Sequence, residues 1–291
     1  MPSRLLKLMI SSSLVAAVLA AQASTPTYDN LYVFGDSYCD VGNLFAATGD
    51  AYPPAPYFHG RFSNGPLWVD HVAGFLGVPL TPSLLGGTDY AFGGAWATAA
   101  QPLAAGFIPS VPQQVGLYLQ YHGGRADPNA LYIIEGGGND IVDTSTGSPQ
   151  ALGYAIAQNL AASETMLRQA GARHFVIPNL FDVGLLPVAA GKVAFASAAS
   201  VAANKGLDKL LASEEEIEGV HILRMDVFSL MTAVQADPTH IGFIDIQDPC
   251  LTTTICADPD HTFFWDTFHP TLFGHAFFAV TLENALSRQD N

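Results

Sequence analysis

The segment Leu31-Tyr32-Val33-Phe34-Gly35-Asp36-Ser37 joins an unbroken apolar run to a glycine, a carboxylate and a hydroxyl. A short run without polar alternation, stopped by glycine, reads as a strand buried on both faces, as in a parallel sheet. Its carboxyl end delivers Asp36 and Ser37, and ligand sites in open parallel sheets lie at those ends. Three further runs fit the same reading: Leu131-Tyr132-Ile133-Ile134-Glu135, stopped by three glycines, His174-Phe175-Val176-Ile177-Pro178, and Val220-His221-Ile222-Leu223-Arg224-Met225. Helical patterns fall between them, over residues 66–76, 111–121, 150–170 with Gly171 as the stop, and an alanine-rich 189–215; 272–287 is a further amphipathic helix. Strands alternating with helices predict an α/β class chain. Its parallel sheet lies between two helical layers, because right-handed crossovers put helices on both faces, giving a three-layer α/β/α sandwich. The Gly/Pro-rich stretch 49–66 reads as a surface loop, and there is no internal repeat.

The chain begins with Arg4 and Lys7, an apolar run over 8–21, and Ala21-Gln22-Ala23, whose small residues suit a signal peptidase. This predicts a secretory leader over residues 1–23 and a secreted protein, extracellular or periplasmic. The run is shorter than the roughly 20 residues a bilayer span needs, so no stable membrane span is expected. The formal charge is −15, and losing Arg4 and Lys7 with no acidic residue takes it to −17. Such a surface repels phosphate backbones, which excludes nucleic acid as a partner class and disfavours acidic membranes. With 49% hydrophobic and 13% charged residues, and no linker-like stretch, residues 24–291 are expected to form one domain. Of the three cysteines, Cys250 and Cys256 are placed to close a small disulfide loop in an exported chain, which leaves Cys39 as a buried, unpaired thiol. Cys250, Cys256 and His261 lack a clear fourth ligand, so no metal is expected.

Acyl transfer needs a nucleophile, a base oriented by a carboxylate, and donors for a developing oxyanion. Ser37 sits at a strand-to-helix turn where free backbone N–H groups are on offer, although the same position suits a helix cap. Asp266 and His269, three apart, form a carboxylate–imidazole pair if the chain turns tightly between them, with Nε2 facing outward. Asn139 follows Gly136-Gly137-Gly138, where the backbone can approach a substrate and the side-chain amide can donate; a plain turn reads equally well. In this arrangement Asp140 is a structural acceptor. A second glycine pair, Gly93-Gly94, offers one more backbone donor. No G-x-S-x-G elbow is present.

In their order along the chain, Gly35-Asp36-Ser37, Gly93-Gly94-Ala95, Gly138-Asn139-Asp140 and Asp266-x-x-His269-Pro270 resemble the GDSL esterase/lipase family of the SGNH hydrolase superfamily. Val41-Gly42-Asn43 and the stretch from Gly60 to Val69 add to the likeness, which spans nearly the whole mature chain. The resemblance implies a flavodoxin-like sheet order, with Ser37 as nucleophile, His269 as base and Asp266 as its orienting carboxylate. It also implies an oxyanion hole from the Ser37 and Gly94 N–H groups and the Asn139 side chain, and no cofactor. Tyr38 replaces the leucine that gives the family its name, and is expected to point away from the chemistry. The activity expected is hydrolysis of short-chain acyl or acetyl esters. The alternatives are a lipase, lysophospholipase or phospholipid acyltransferase, and, in a different class, an inactive exported binder of glycans or lipids. Tyr52, Tyr57, Phe58, Phe62, Phe107 and Phe268 are candidate walls of an acyl or sugar groove. Residues from several loops would have to converge for that to hold.

Overall fold

The computed structural model describes residues 27–104 and 106–289; the leader expected over residues 1–23 lies outside the described residues. The elements run in the order β1 (Leu31–Phe34), α1 (Asn43–Ala47), α2 (Trp68–Leu76), β2 (Gln101–Leu103), β3 (Gly106–Ile108), α3 (Val111–Tyr121) and β4 (Leu131–Ile134). Then follow α4 (Gly138–Asp143), α5 (Pro149–Ala170), β5 (His174–Pro178), α6 (Val193–Leu211), β6 (His221–Met225), α7 (Val227–Ala236), α8 (Pro238–Ile241) and α9 (Leu272–Gln289).

The four predicted strands pair in parallel in the order β1-β4-β5-β6, with Leu31 opposite Leu131, Leu131 opposite His174 and His174 opposite His221. A short extended stretch, Thr88 to Tyr90, lies on the outer side of β1: Val33 N–H donates to Thr88 O and Tyr90 N–H to Val33 O, at 3.2 and 2.7 Å. Counting it as a strand, the spatial order 2-1-3-4-5 is the flavodoxin-like doubly wound order, which reverses direction between β1 and β4. Crossovers to the left and right of β1 send helices to opposite faces. Thus α2 packs with α9, while α5 packs with both α3 and α6.

All four residues of β1 and of β4 are buried, as continuous apolar strands covered on both faces must be. Fully buried Phe34, Tyr118, Tyr132 and Phe175 fill the layers between sheet and helices. The longest helix, α5, starts where its sequence says it should: the Ser148 hydroxyl accepts from Ala151 N–H at 3.2 Å, Pro149 takes the first helical position and Gly171 ends it. The alanine-rich helix is shorter than its pattern, because the chain turns through Gly191 and Lys192 before α6 begins.

Two sequence expectations change here. The stretch 49–66 has no helix or strand, as expected, but it is not merely surface: within it Phe62 and Ser63 are buried. The small antiparallel hairpin β2–β3 was not anticipated. Cys250 and Cys256 are joined by a disulfide and Cys39 is a buried free thiol.

Candidate active site

Beyond β1 the Gly35 peptide is gripped by one side chain. Gly35 N–H donates to Gln114 Oε1 and Gln114 Nε2 donates back to Gly35 O, both at 2.9 Å, so a buried glutamine on α3 imitates a neighbouring strand. The chain then makes a single turn in which Cys39 and Asp40 N–H donate to Asp36 O, and Tyr38 N–H donates to Asp36 Oδ1. Ser37 stands at the apex, 3% exposed. It caps no helix, since α1 starts at Asn43 after Gly42.

His269 is brought to Ser37 from 232 residues away: Nε2 lies 2.8 Å from Ser37 Oγ. On the other side of the ring, Nδ1 lies 2.7 Å from Asp266 Oδ2. The three-residue spacing works because Asp266 organises its own turn. Its Oδ1 accepts from the Phe268 and His269 N–H groups at 2.7 Å each, and Trp265 N–H closes the turn onto His269 O at 2.7 Å. Burial pushes the Asp266 carboxyl up, but the His269 ring, the Tyr57 hydroxyl and the His269 N–H outweigh it and bring it down to about 2. The carboxylate is therefore charged at any working pH, and its bond to Nδ1 leaves Nε2 free to take a proton from Ser37.

The two glycines of the 90–95 segment differ. Gly93 N–H is committed to Asp40 Oδ2 at 2.8 Å, and a Cβ there would meet Phe62 at 2.5 Å. Gly94, at φ 78°, holds a conformation that glycine adopts freely, and no acceptor among the described residues takes its N–H or that of Ser37. Asn139 sits in the first turn of α4 rather than in a plain turn. Gly137, at φ 104°, swings the chain into that helix, and a Cβ there would strike Ile156 at 2.5 Å. The Asn139 amide donates one hydrogen to Ala95 O at 3.0 Å, which orients the amide and leaves its second hydrogen over. Asp140 accepts from Ala97 N–H, Thr98 N–H and the Thr98 hydroxyl, fixing the strip that follows Gly94. Lys192 donates to the Ile141, Val142 and Thr144 carbonyls, a cation at the C-terminal end of α4.

Ser37, Gly94, Asn139 and His269 all face one groove of about 360 Å³. Leu44, Tyr52, Phe62, Leu103, Ile108 and Phe268 form its apolar walls. Of the six candidate aromatics, Tyr52, Phe62 and Phe268 line it. Phe107 points to solvent at 56% exposure, Phe58 packs on His59 and Arg61, and Tyr57 donates its hydroxyl to Asp266 Oδ2 at 2.6 Å.

Tyr38 departs from expectation. Its hydroxyl donates to Phe268 O at 2.7 Å and its ring lies 5.9 Å from the His269 ring, so it braces the turn that carries the imidazole. Beneath Ser37, Glu135 Oε2 accepts from the Cys39 thiol, and burial raises the Asp36, Glu135 and Cys39 groups alike. A buried thiol held protonated is a poor nucleophile. The sequence pattern gave no sign of the parts that Gln114 and Glu135 play, and it marked Tyr57 as a groove wall rather than as a partner of Asp266. Among the described residues no cluster of three or more His, Cys, Asp or Glu side chains can hold a metal ion.

The chain is similar to known proteins. The chain is 34% identical over 182 residues to Lipase 1 of Photorhabdus luminescens, covering 62% of this chain but 26% of that protein. It is 27% identical over 281 residues to the thermolabile hemolysin of Vibrio parahaemolyticus, covering 86% of this chain and 62% of that one, so it spans less than two thirds of either relative. Phosphatidylcholine-sterol acyltransferase of Aeromonas hydrophila is 27% identical over 243 residues, 81% of this chain and 70% of that one. A crystal structure of a member of the lipolytic protein G-D-S-L family from Veillonella parvula superposes with a TM-score of 0.52 at 14% identity, covering 89% and 98% of the two chains, a likeness of fold. The profile of the GDSL-like lipase/acylhydrolase family matches residues 31–281, and the chain belongs to that family.

Proposed function

We propose that this chain is a serine carboxylic ester hydrolase working through an acyl-enzyme. The observation that carries the reading is the continuous relay from Asp266 through His269 to Ser37, at 2.7 and 2.8 Å, opening onto an apolar groove. His269 Nε2 takes the Ser37 proton as Oγ attacks the ester carbonyl. The oxyanion is received by the Ser37 and Gly94 N–H groups and the Asn139 amide. The alcohol leaves with the proton from His269, and water then attacks the acyl-enzyme by the same route. An inactive binding protein has no need of this relay, which supports turnover.

The groove also bears on the acyl group. Acetyl needs little of about 360 Å³ of apolar space, and each further methylene buried against those walls contributes about 0.8 kcal/mol. Four methylenes amount to about 3 kcal/mol, or roughly 100-fold in kcat/KM when the whole chain is buried. The proposed substrate is therefore an ester with an acyl chain of medium length, beyond the acetyl group, and lipid esters fall within the class. The leader pattern supports export, with residues 24–291 as one hydrolase domain.

Hydrolysis of a p-nitrophenyl ester series from acetate to palmitate tests both parts. Rates should climb from acetate to a maximum at butyrate to octanoate and vanish in Ser37→Ala. A maximum at acetate would remove the role given to the groove, and activity surviving in Ser37→Ala would remove the mechanism.

A further inference from the structure

Tyr57 lies in the irregular stretch 49–66, a region whose other side chains, Tyr52 and Phe62, form a wall of the groove. Its hydroxyl reaches Asp266 Oδ2 at 2.6 Å, the same oxygen that holds His269 Nδ1 at 2.7 Å. Asp266 Oδ1 accepts from two backbone N–H groups of its own turn and lies 3.0 Å from His269 Nδ1, so the nearer approach of Nδ1 is to Oδ2, the oxygen that also accepts from Tyr57. The Tyr57 ring is wedged against Phe62 and Trp265, and Phe62 in turn lies 5.0 Å from the His269 ring.

We propose that Tyr57 is a positioning residue of this site: its hydroxyl shares the Asp266 charge with His269, thereby setting the strength of the base, and ties that setting to the loop that walls the groove. This rests on the relay reading given above. A donor on a carboxylate withdraws charge from the other bond the same oxygen makes, so removing the donor makes Asp266 a stronger partner for an imidazolium. Burial and the Asp266 contact raise the Tyr57 hydroxyl, which remains a donor throughout the pH range of an activity measurement. The link to the groove follows from covalent continuity. An acyl chain that presses on Tyr52 or Phe62 presses on the loop that carries the Tyr57 hydroxyl.

Of the other titratable groups, Tyr52 raises the Tyr57 hydroxyl slightly through its charge, and the rest do not touch it. Tyr38 faces the His269 ring and is raised by burial; Asp36, raised by burial, feels the His269 charge; His275, lowered by burial to about 3, stays neutral. Asp36 and Glu135 contribute to the acid side of a pH profile. They do so equally in the wild type and in Tyr57→Phe, so the difference between the two proteins isolates the hydroxyl.

In Tyr57→Phe the ring packing is kept and the hydrogen bond is lost. The acid limb of kcat/KM on p-nitrophenyl butyrate should move to higher pH by roughly 0.5 to 1 unit, in line with one charge-assisted bond partly transmitted through Asp266. The kcat value should fall about three- to tenfold with KM within about twofold. Independently of turnover, the downfield proton resonance of the His269–Asp266 bond should shift further downfield in the variant, because Asp266 holds it harder. Superimposable pH profiles and an unmoved resonance would overturn the proposal. Activity retained in Ser37→Ala would overturn the relay reading instead, while the resonance would still decide the role of Tyr57.

Discussion

Ser37 and His269 meet at 2.8 Å, yet the chain brings them there by different means. Ser37 leaves the end of a buried parallel strand, and its neighbour Gly35 is held on one side by Gln114 and on the other by the register between β1 and β4. Asn139 stands in the first turn of α4, which follows β4, the strand adjacent to β1 in the sheet, so the proposed nucleophile and the proposed oxyanion donor share one frame. His269 instead lies in a stretch where isolated bridges, such as Phe264 with Pro270, replace a sheet. Its turn is stitched in place from outside. Tyr38 holds Phe268 O, Ser63 holds Pro270 O, Asn64 accepts from Leu272 N–H, and the disulfide segment donates through Cys250 and Leu251 N–H to Phe264 O and Trp265 O. In the proposed mechanism the strand frame fixes where attack occurs. The stitched half leaves the base adjustable through side chains.

That contrast can be broken from either side. Asn139→Ala removes the proposed oxyanion donor from the strand-framed half and should cost on the order of 100- to 1,000-fold in kcat with the fold unchanged, as measured by steady-state kinetics and circular dichroism. Tyr38→Phe removes one stitch from the other half while keeping the ring, and a loss of about three- to tenfold in kcat with unchanged melting temperature is expected, since several stitches remain. If Tyr38→Phe proved as damaging as Asn139→Ala, the base would be held by one contact rather than by many.

The smallest effect is on stability. Burial raises the Asp36, Asp40, Asp89, Asp140 and Glu135 carboxyls, and Glu164 to about 7. Such a group keeps its proton in the folded protein after the unfolded chain has lost it near pH 4, so its contribution is complete below about pH 4 and is lost as pH rises through its raised folded value. His275, lowered to about 3, and His174, also lowered by burial, work in the opposite direction below about pH 6.5, but they are two groups against six. Asp266, at about 2, acts only in stronger acid. The melting temperature should therefore rise by about 2 to 4 °C as pH is lowered from 8 to 5. A fall over that interval would mean that the buried carboxyls stay ionised beneath the strand-framed half.

The two halves also differed in how far the sequence disclosed them. Strands β1, β4 and most of β5 were legible because a strand buried on both faces is a continuous apolar run, β6 because its apolar residues form a short run although it lies half-buried at the sheet edge, and α5 because Gly171 ends its helical pattern. The edge stretch beside β1 was not, since Asp89 in its middle is a poor strand former, and its carboxylate is there to accept from Val41 and Ala91 N–H. The Asp266–His269 spacing was visible as a pair, but its supports were not. Tyr57 acts across 209 residues and Tyr38 across 230, and no periodicity or local motif records a contact of that separation. Tyr38 was read as pointing elsewhere because only its place next to Ser37 was known, not the turn that folds over it.

The most direct test is to treat the purified protein with an alkyl p-nitrophenyl phosphonate and locate the adduct by intact mass and peptide mapping, with His269→Ala alongside. A phosphonate esterifies only a serine whose proton is removed by a neighbouring base. One adduct on the peptide that carries Ser37, absent in His269→Ala, is the expected result; no adduct, or labelling at another residue that survives the loss of His269, would contradict it.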